Sequence, residues 1–213
     1  MSQNLKLSAT LAFLALFMVV IYVAAGGNDT PEAAADPELT RADTHFLTKA
    51  PDDKVTLVEF LDFECEACRA QFPTMERIRE EYDGRINLAI RYFPLGGHQN
   101  GMNAALAVEA AAKQDALEDM YVKMYETQAE WGESPDSKAD LFASFAEELG
   151  LDPEQFAADV ADPATKERIA KDQADGAGLG VQGTPTIFLN GEELPSMPSY
   201  EDLKQRIDDL LQE

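Results

Sequence analysis

Cys65 and Cys68 are the two cysteines of this 213-residue chain, and two residues separate them. A pair at this spacing has three common uses: metal ligands, a structural disulfide, or a redox-active dithiol. A structural zinc site takes four ligands, and the chain offers only His45 and His98 as further soft ligands. A soft-metal site built from Cys65, Cys68 and His98 is therefore a minor alternative that falls one ligand short.

A structural disulfide is also a weak explanation of the pair. Closing a loop of four residues stabilises a fold by only about 2 kcal/mol in the chain-entropy account, against about 5 kcal/mol for a loop of 100 residues. The redox explanation fits better, because the pair would open a helix. Unpaired N–H groups at a helix N-terminus stabilise a thiolate at Cys65, while Cys68, one turn later, faces inward. We expect Cys65 to be an exposed attacking thiol and Cys68 a shielded resolving thiol.

A strand, a helix and a second strand must position this pair. The segment KVTLVEFLDF, residues 54–63, is almost continuously apolar, which is typical of a central strand covered on both faces. The segment RINLAIRYF, residues 85–93, alternates as a second strand. Between them, apolar residues at steps of three and four mark the buried face of a helix: Cys68, Phe72, Met75, Ile78 and Tyr82. Together they predict a parallel βαβ unit with a right-handed crossover.

The rest of the chain predicts a helical insertion followed by a ββα unit. Residues 100–177 have helical patterns almost throughout, with Met120, Tyr121, Met124 and Tyr125 assigned to packing between helices. Residues 184–194, TPTIFLNGEEL, predict two short strands joined by an Asn-Gly turn. Ser199 is placed to cap a final amphipathic helix. The predicted fold class is therefore α/β, with βαβ and ββα halves around a central sheet and a helical insertion.

The N-terminal segment predicts a membrane anchor. Residues 7–25 carry no charge and, at about 1.5 Å per residue, come close to the roughly 30 Å hydrocarbon core of a bilayer. The positive charges of residues 1–6 place that end in the cytoplasm and export the remainder. An uncleaved single-pass helix is favoured over a signal peptide, whose apolar run is shorter. VAA at residues 23–25 keeps cleavage, and hence secretion, as the alternative.

The composition of the exported part separates a tether from a globular domain, and its charge limits the partners that the domain can bind. Residues 26–40 are rich in Ala, Gly, Pro and acids and predict a tether, and residues 41–213 predict one globular domain. That domain would lie in the cell envelope, outside the cytoplasm, where disulfides persist. The net charge of -23 repels phosphate backbones, which argues against nucleic-acid binding.

The chain resembles the thioredoxin superfamily in the order of its elements and in three segments: VEFLDFECEAC, RYFPLGGHQN and GTPTIFLNG. The resemblance is specifically to DsbA-like exported thiol–disulfide oxidoreductases with a helical insertion, and it runs from residue 54 to the C-terminus. It implies that Cys65 is the nucleophile and Cys68 the resolving cysteine, with no cofactor beyond their disulfide. It also implies that the Thr184–Pro185 bond is cis and faces the pair. The backbone of Thr184 would then hold an extended substrate peptide.

The resemblance also implies a buried acid six positions before Cys65, which relays protons to the resolving cysteine. Glu59 occupies that position between apolar Val58 and Phe60, and a buried carboxyl has a raised pKa suited to proton transfer. The alternatives are a solvated carboxylate at a sheet edge or one paired with a lysine. The resemblance also includes a histidine near the position of His98, without a defined role. We expect His98 to serve the structure of its loop or of the start of the next helix.

The implied activity is thiol–disulfide exchange with exported cysteine-containing polypeptides. Reoxidation would come from a membrane quinone-linked protein of the DsbB or vitamin K epoxide reductase type. The best-known pattern has Pro-His between the cysteines, where the histidine stabilises the thiolate. Here Glu66 and Ala67 stand between them and Glu64 precedes them.

These substitutions bear on the direction of the reaction. The carboxylates of Glu64 and Glu66 would raise the pKa of Cys65 and make the protein a milder oxidant, unless both point to solvent and are screened. Oxidation of substrate dithiols is the favoured direction. A membrane-tethered reductase or isomerase, or a copper-binding protein of thioredoxin fold, are the alternatives.

Overall fold

The computed structural model describes residues 38–212. The predicted cytoplasmic N-terminus (1–6), the anchor or signal segment (7–25) and most of the tether (26–37) lie outside the described residues. In the part of the chain that the structure describes, no helix is both long enough and apolar enough to cross a membrane.

A five-stranded mixed sheet forms the centre of the described domain. Its spatial order is β1-β3-β2-β4-β5. The strands are β1 (His45–Thr48), β2 (Thr56–Leu61), β3 (Asn87–Tyr92), β4 (Thr186–Leu189) and β5 (Glu192–Glu193). Strands β2 and β3 pair in parallel, as the predicted βαβ unit requires, and the other neighbours are antiparallel. Strand β2, which leads into the cysteine pair, is therefore the central strand.

Helices connect these strands as the sequence pattern predicted. Helix α1 (Glu66–Glu81) joins β2 to β3, and helix α7 (Tyr200–Gln212) follows β5. Five helices lie between β3 and β4, over the range expected for the insertion: α2 (Gly101–Ala112), α3 (Leu117–Trp131), α4 (Ala139–Glu148), α5 (Pro153–Ala161) and α6 (Pro163–Gly178). The α/β fold class, with βαβ and ββα halves around one sheet, is confirmed.

Two features of the sheet differ from the prediction. Strand β1 was missed, because a four-residue edge strand is too short to show a clear alternation. It pairs antiparallel with β3, and this pairing covers an edge that the prediction left open. Strand β3 was predicted to alternate between buried and exposed residues, but all six of its residues are buried. Its hydrogen-bonded neighbours on both sides make it an interior strand.

Residues of β2 point alternately into two apolar cores. Leu57 and Leu61 belong to the larger core, which also contains both cysteines, while Val58 and Phe60 belong to a smaller core on the opposite face. Because side chains alternate along a strand, Glu59 shares the face of Leu57 and Leu61. Its carboxyl group therefore points into the same core as the cysteine pair.

Candidate active site

Helix α1 begins directly at the cysteine pair. Cys65 is the N-cap residue with extended backbone angles (φ -70°, ψ 121°), and its N–H donates to the carbonyl oxygen of Asp62 at 3.1 Å. Cys68 lies in the first helical turn, so the unpaired N–H groups of Ala67 and Cys68 face the Cys65 sulfur. Both cysteines are free thiols. The pair thus occupies the helix terminus that the spacing predicted.

The two thiols differ in accessibility less than expected. Cys65 is 8% exposed and Cys68 is 1% exposed. The prediction of an exposed attacking thiol is therefore wrong in degree, although Cys65 is the more accessible of the two. The cause is the Thr184–Pro185 loop, whose Thr184 carbonyl oxygen lies 3.3 Å from Sγ of Cys65.

The two thiols differ strongly in acidity. The pKa of Cys65 is lowered to about 5, chiefly by a hydrogen bond from Cys68, while burial opposes the shift and Thr184 and two backbone N–H groups reinforce it. The pKa of Cys68 is raised well above its ordinary value by burial, by the same hydrogen bond and by the nearby Glu59 charge. At neutral pH the reduced pair is therefore a Cys65 thiolate beside a Cys68 thiol. The net shift is downward, so any raising effect of Glu64 and Glu66 is outweighed by the hydrogen bonds at the helix terminus.

Glu59 is a buried carboxyl group on the cysteine side of the sheet. It is 2% exposed, so the solvated alternative is wrong. Burial raises its pKa to about 8, and the negative charges of Cys65 and Glu76 add to the rise. No basic side chain in residues 38–212 contributes to the shift, which also argues against the lysine-paired alternative. The group is largely protonated at neutral pH and can release a proton close to that pH.

Two tyrosines of α3 line the same buried region. Tyr121 and Tyr125 pack against the aromatic rings of Phe63 and Phe72, with a centroid separation of 5.1 Å between Phe63 and Tyr125. Packing between helices, as predicted, is therefore part of their role. Their hydroxyl groups are buried and find no hydrogen-bond partner in the described part of the chain. Burial raises both phenol pKa values well above the ordinary value, with further contributions from Glu59 and Cys68.

The loop before β4 closes the site from the other side. The Thr184–Pro185 peptide bond is cis, as the resemblance implied. Pro185 is buried and Thr184 is half-buried, and the Thr184 hydroxyl is buried without a hydrogen-bond partner in residues 38–212. A groove of about 200 Å³ runs beside this loop and reaches Glu193 and Leu194. The loop thus lies against the Cys65 sulfur, with the groove on its flank.

The two glutamates that flank Cys65, Glu64 and Glu66, lie in different surroundings. Glu66 is exposed and Ala67 is half-buried against the larger core, as side chains of a first helical turn. Glu64 is 1% exposed and accepts the backbone N–H groups of Asn100 and of Glu133, the latter at 3.0 Å. We expected Glu64 either to point to solvent or to direct its charge at Cys65. It does neither. It instead fastens the turn before α1 to the insertion.

Sequence reasoning missed Asp62 and Gln128. The buried carboxylate of Asp62 accepts the N–H of Glu64 at 2.9 Å and lies 2.6 Å from Nδ1 of His98. The side-chain amide of Gln128, in α3, donates to the carbonyl oxygens of Phe63 at 2.6 Å and Cys65 at 2.9 Å. The sequence did contain a signal for Asp62, because an acid inside an apolar run is unusual, and that signal was not used. A glutamine in an amphipathic helix carries no such signal.

The alternative of a soft-metal site at Cys65, Cys68 and His98 is not supported by the described residues. Within residues 38–212, no three His, Cys, Asp or Glu side chains are arranged to hold a metal ion. His98 is bonded to Asp62, and His45 lies in β1 with its ring bonded to Glu109 at 2.6 Å.

Comparisons with known proteins agree with the fold. A protein-family model described as Thioredoxin matches residues 43–209. A probable disulfide bond formation protein D of Bacillus cereus is 30% identical over 214 residues, which cover 98% of each chain. The crystal structure of a thioredoxin-like oxidoreductase from Silicibacter pomeroyi superposes with a TM-score of 0.69 at 26% identity, covering 85% of this chain and 99% of that one.

A second kind of relative is much longer than this chain. The Na(+)/H(+) antiporter NhaA of Herminiimonas arsenicoxydans is 32% identical over 168 residues. Those residues cover 76% of this chain but only 24% of the antiporter. The similarity is thus confined to about a quarter of that protein.

Proposed function

The chain belongs to the thioredoxin family, among its DsbA-like thiol–disulfide oxidoreductases, and we propose that it oxidises the dithiols of exported polypeptides through the Cys65–Cys68 pair. The observation that carries the direction is the low pKa of Cys65 beside the high pKa of Cys68. A stabilised thiolate favours the reduced state of the protein, and a protein that is more stable when reduced is the stronger oxidant.

The exchange begins with the pair as a disulfide. A substrate thiolate attacks Sγ of Cys65, the Cys65–Cys68 bond breaks, and Cys68 leaves as a thiolate. A second substrate thiolate attacks the substrate sulfur of the mixed disulfide, which releases Cys65 as a thiolate. The substrate thereby gains a disulfide and the cysteine pair gains two electrons. The low pKa of Cys65 makes it a good leaving group in the second step.

Glu59 supports the first step as the proton donor for Cys68. The departing Cys68 thiolate is the less stable of the two, because burial raises its pKa well above the ordinary value. Glu59 points from the sheet into the core that contains Cys68, and it holds a proton at neutral pH because its pKa is about 8. Its two neighbouring tyrosine hydroxyls, at Tyr121 and Tyr125, are buried and unpartnered within residues 38–212. They give the proton a polar surrounding inside an otherwise apolar core.

Substrate binding falls to the cis-proline loop. The Thr184 carbonyl oxygen lies 3.3 Å from Sγ of Cys65, so a peptide strand pairing with the Thr184 backbone brings its own cysteine to that sulfur. Such pairing uses main-chain groups and reads few side chains, which suits an enzyme with many substrates.

Reoxidation completes the proposed cycle. A membrane quinone-linked protein of the DsbB or vitamin K epoxide reductase type would accept the two electrons from the reduced pair. The site would work outside the cytoplasm, where disulfides persist. A tether and an anchor formed by the residues before 41 would keep the site near that membrane protein.

The reduction potential of the full-length chain tests the direction. Equilibration with glutathione buffers is expected to give a potential at or above about -180 mV, the range of oxidising and isomerising members, whereas thioredoxin lies near about -270 mV. A value closer to about -270 mV would reverse the assignment and favour the reductase alternative. A Cys68→Ser variant is expected to accumulate mixed disulfides with exported proteins, and the Cys65→Ser variant serves as its matched control.

A further inference from the structure

His98 lies in the loop between β3 and α2 and is held by a buried carboxylate. Its Nδ1 atom is 2.6 Å from Oδ2 of Asp62, whose side chain is 0% exposed, while the His98 side chain is 26% exposed. A carboxylate accepts hydrogen bonds only, so Nδ1 carries a proton in either charge state of the ring, and the second proton of the imidazolium is on Nε2. The ring is thus oriented from the inside and reaches the surface at its outer edge.

Asp62 also forms part of the turn that carries Cys65. Its carboxylate accepts the N–H groups of Glu64 at 2.9 Å and Leu95 at 2.8 Å. Its carbonyl oxygen accepts the N–H of Cys65 at 3.1 Å. One residue therefore determines both where the nucleophile sits and how the imidazole is oriented. A histidine that served only the loop would not need a buried anion shared with the cysteine turn.

We propose that Asp62 positions His98 as a protonated imidazole whose charge stabilises the Cys65 thiolate of the reduced protein. Asp62 is the positioning residue and His98 is the electrostatic partner of the nucleophile. The proposal rests on the assigned role of Cys65 as the attacking thiol. The two residues between the cysteines, Glu66 and Ala67, supply no positive charge, so this charge comes from a separate loop.

The charges that act most strongly on His98 are anionic. They are Asp62 at the end of β2, and Glu64 and Cys65 in the turn before α1. Burial alone would lower the pKa of His98, but the hydrogen bond to Asp62 and the charges of Asp62, Cys65 and Glu64 raise it. Coupling between two titrating groups is reciprocal. The free energy by which the thiolate stabilises the imidazolium is therefore the same as that by which the imidazolium stabilises the thiolate.

The redox consequence follows from the charge of each state. The reduced pair carries a thiolate that the imidazolium stabilises, whereas the disulfide carries no charge for His98 to act on. His98 therefore favours the reduced protein and makes the disulfide a stronger oxidant. No bond or electron count in the exchange changes, because the imidazole acts only through its charge.

The first test follows both histidines by proton NMR. The chain contains two histidines, so the ring signals of His98 and His45 can be titrated separately in the full-length chain, reduced and oxidised. The pKa of His98 is expected to be lower in the disulfide form, where the thiolate is gone. His45, whose ring is bonded to Glu109 and not to the cysteine turn, is the internal control for effects of oxidation on the fold as a whole. An identical His98 pKa in the two redox forms would overturn the proposal.

The second test measures the pKa of Cys65 from the ultraviolet absorbance of the thiolate. His98→Gln is expected to raise it by about one unit, a tenfold change in the thiolate-to-thiol ratio. His98→Lys, which restores a positive charge without the ring, should recover most of that shift, and His45→Gln should leave the pKa unchanged. A purely structural role predicts that the Gln and Lys variants behave alike, and that result would reject the proposal.

The same titration separates this proposal from the proposed function. If Cys65 of the unmodified chain titrates at the ordinary thiol pKa, the assignment of the nucleophile fails. If it titrates near pH 5 and His98→Gln leaves it there, the nucleophile stands and only the role of His98 is rejected.

Discussion

The Sγ atom of Cys65 lies 3.3 Å from the carbonyl oxygen of Thr184, although 119 positions separate the two residues in the chain. This contact places the cis Thr184–Pro185 loop directly over the nucleophile. It explains why a cysteine at a helix N-terminus is only 8% exposed. The loop that we propose binds the substrate is therefore also the loop that covers the sulfur.

The Thr184 hydroxyl is expected to tune the nucleophile. It is buried without a hydrogen-bond partner in residues 38–212, yet it lowers the pKa of Cys65, as a donor to the thiolate does. Thr184→Val keeps the shape and removes the donor, so the pKa of Cys65 should rise by up to about one unit. In the disulfide form, which has no thiolate to stabilise, the free energy of unfolding should stay the same or increase, since a buried hydroxyl without a partner in residues 38–212 is removed. Thiolate absorbance and urea unfolding measure the two effects.

A neighbouring threonine provides the control for that variant. The hydroxyl of Thr186 donates to the carbonyl oxygen of Gly183 at 2.8 Å. Thr186→Val should therefore leave the pKa of Cys65 unchanged. Equal pKa values in the Thr184→Val and unmodified chains would show that the hydroxyl does not reach the thiolate.

Glu59 is expected to make the oxidised protein less stable as the pH rises. Burial, the largest cause of its raised pKa, persists in the disulfide form, so above the ordinary pKa of about 4.5 the folded state holds a proton that the unfolded state has lost. The free energy of unfolding of the oxidised protein therefore falls as the pH rises above about 4.5. Glu59→Gln should abolish the fall and gain on the order of a few kcal/mol at pH about 8, since each unit of raised pKa corresponds to about 1.4 kcal/mol.

Urea unfolding of the oxidised protein at several pH values measures this slope. Glu66→Gln is the matched control, because Glu66 is exposed and should leave the slope as it is. A wild-type slope no steeper than that of Glu59→Gln would mean that the carboxyl is not buried as a neutral acid.

Cys65 is expected to produce the opposite pH dependence in the reduced protein. Its pKa is lowered from 9.0 to about 5, so in this window the unfolded state holds a proton that the folded state has lost. The contribution of Cys65 to the free energy of unfolding should rise with pH from about 5 and level off near 9, in opposition to the fall that Glu59 produces. Cys65→Ser should lose this rise. Comparing both chains, reduced, at each pH isolates the thiolate, and parallel curves would contradict the low pKa.

Much of the fold was predictable because it is encoded in local patterns. The apolar run before Cys65, the three-and-four spacing after it and the Asn190–Gly191 turn each lie within one segment, and the structure contains the corresponding elements. The four-residue strand β1 carries too little pattern to be recognised. It is defined by its pairing with β3, a contact that no local window contains.

The site was predictable only where one segment contains the chemistry. Cys65 and Cys68 lie within one helical turn, so their spacing indicated their chemistry directly. Glu64 was misjudged because its two hydrogen-bond donors, Asn100 and Glu133, lie 36 and 69 positions away. A carboxylate beside a cysteine looks like an electrostatic effector in the sequence. Only the folded insertion reveals that it is already satisfied by backbone N–H groups.

Gln128 is expected to hold the cysteine turn against the insertion. Its side chain is buried and donates to the carbonyl oxygens of Phe63 at 2.6 Å and Cys65 at 2.9 Å. The Cys65 carbonyl also accepts the N–H of Arg69, so the Phe63 carbonyl depends more on Gln128. Gln128→Leu keeps the volume and leaves that buried acceptor unpaired, which should cost about 1–3 kcal/mol of unfolding free energy.

The same variant should loosen the turn itself, which gives a second readout. Amide hydrogen exchange at residues 63–68 should accelerate more than in the rest of the domain, because the tie between the turn and α3 is lost. Gln173→Leu is the matched control: its amide donates to one half-buried carbonyl, that of Pro94, at 2.8 Å. It should cost less and leave exchange at residues 63–68 unchanged. Equal losses in both variants, with no local change in exchange, would mean that Gln128 contributes only a generic hydrogen bond.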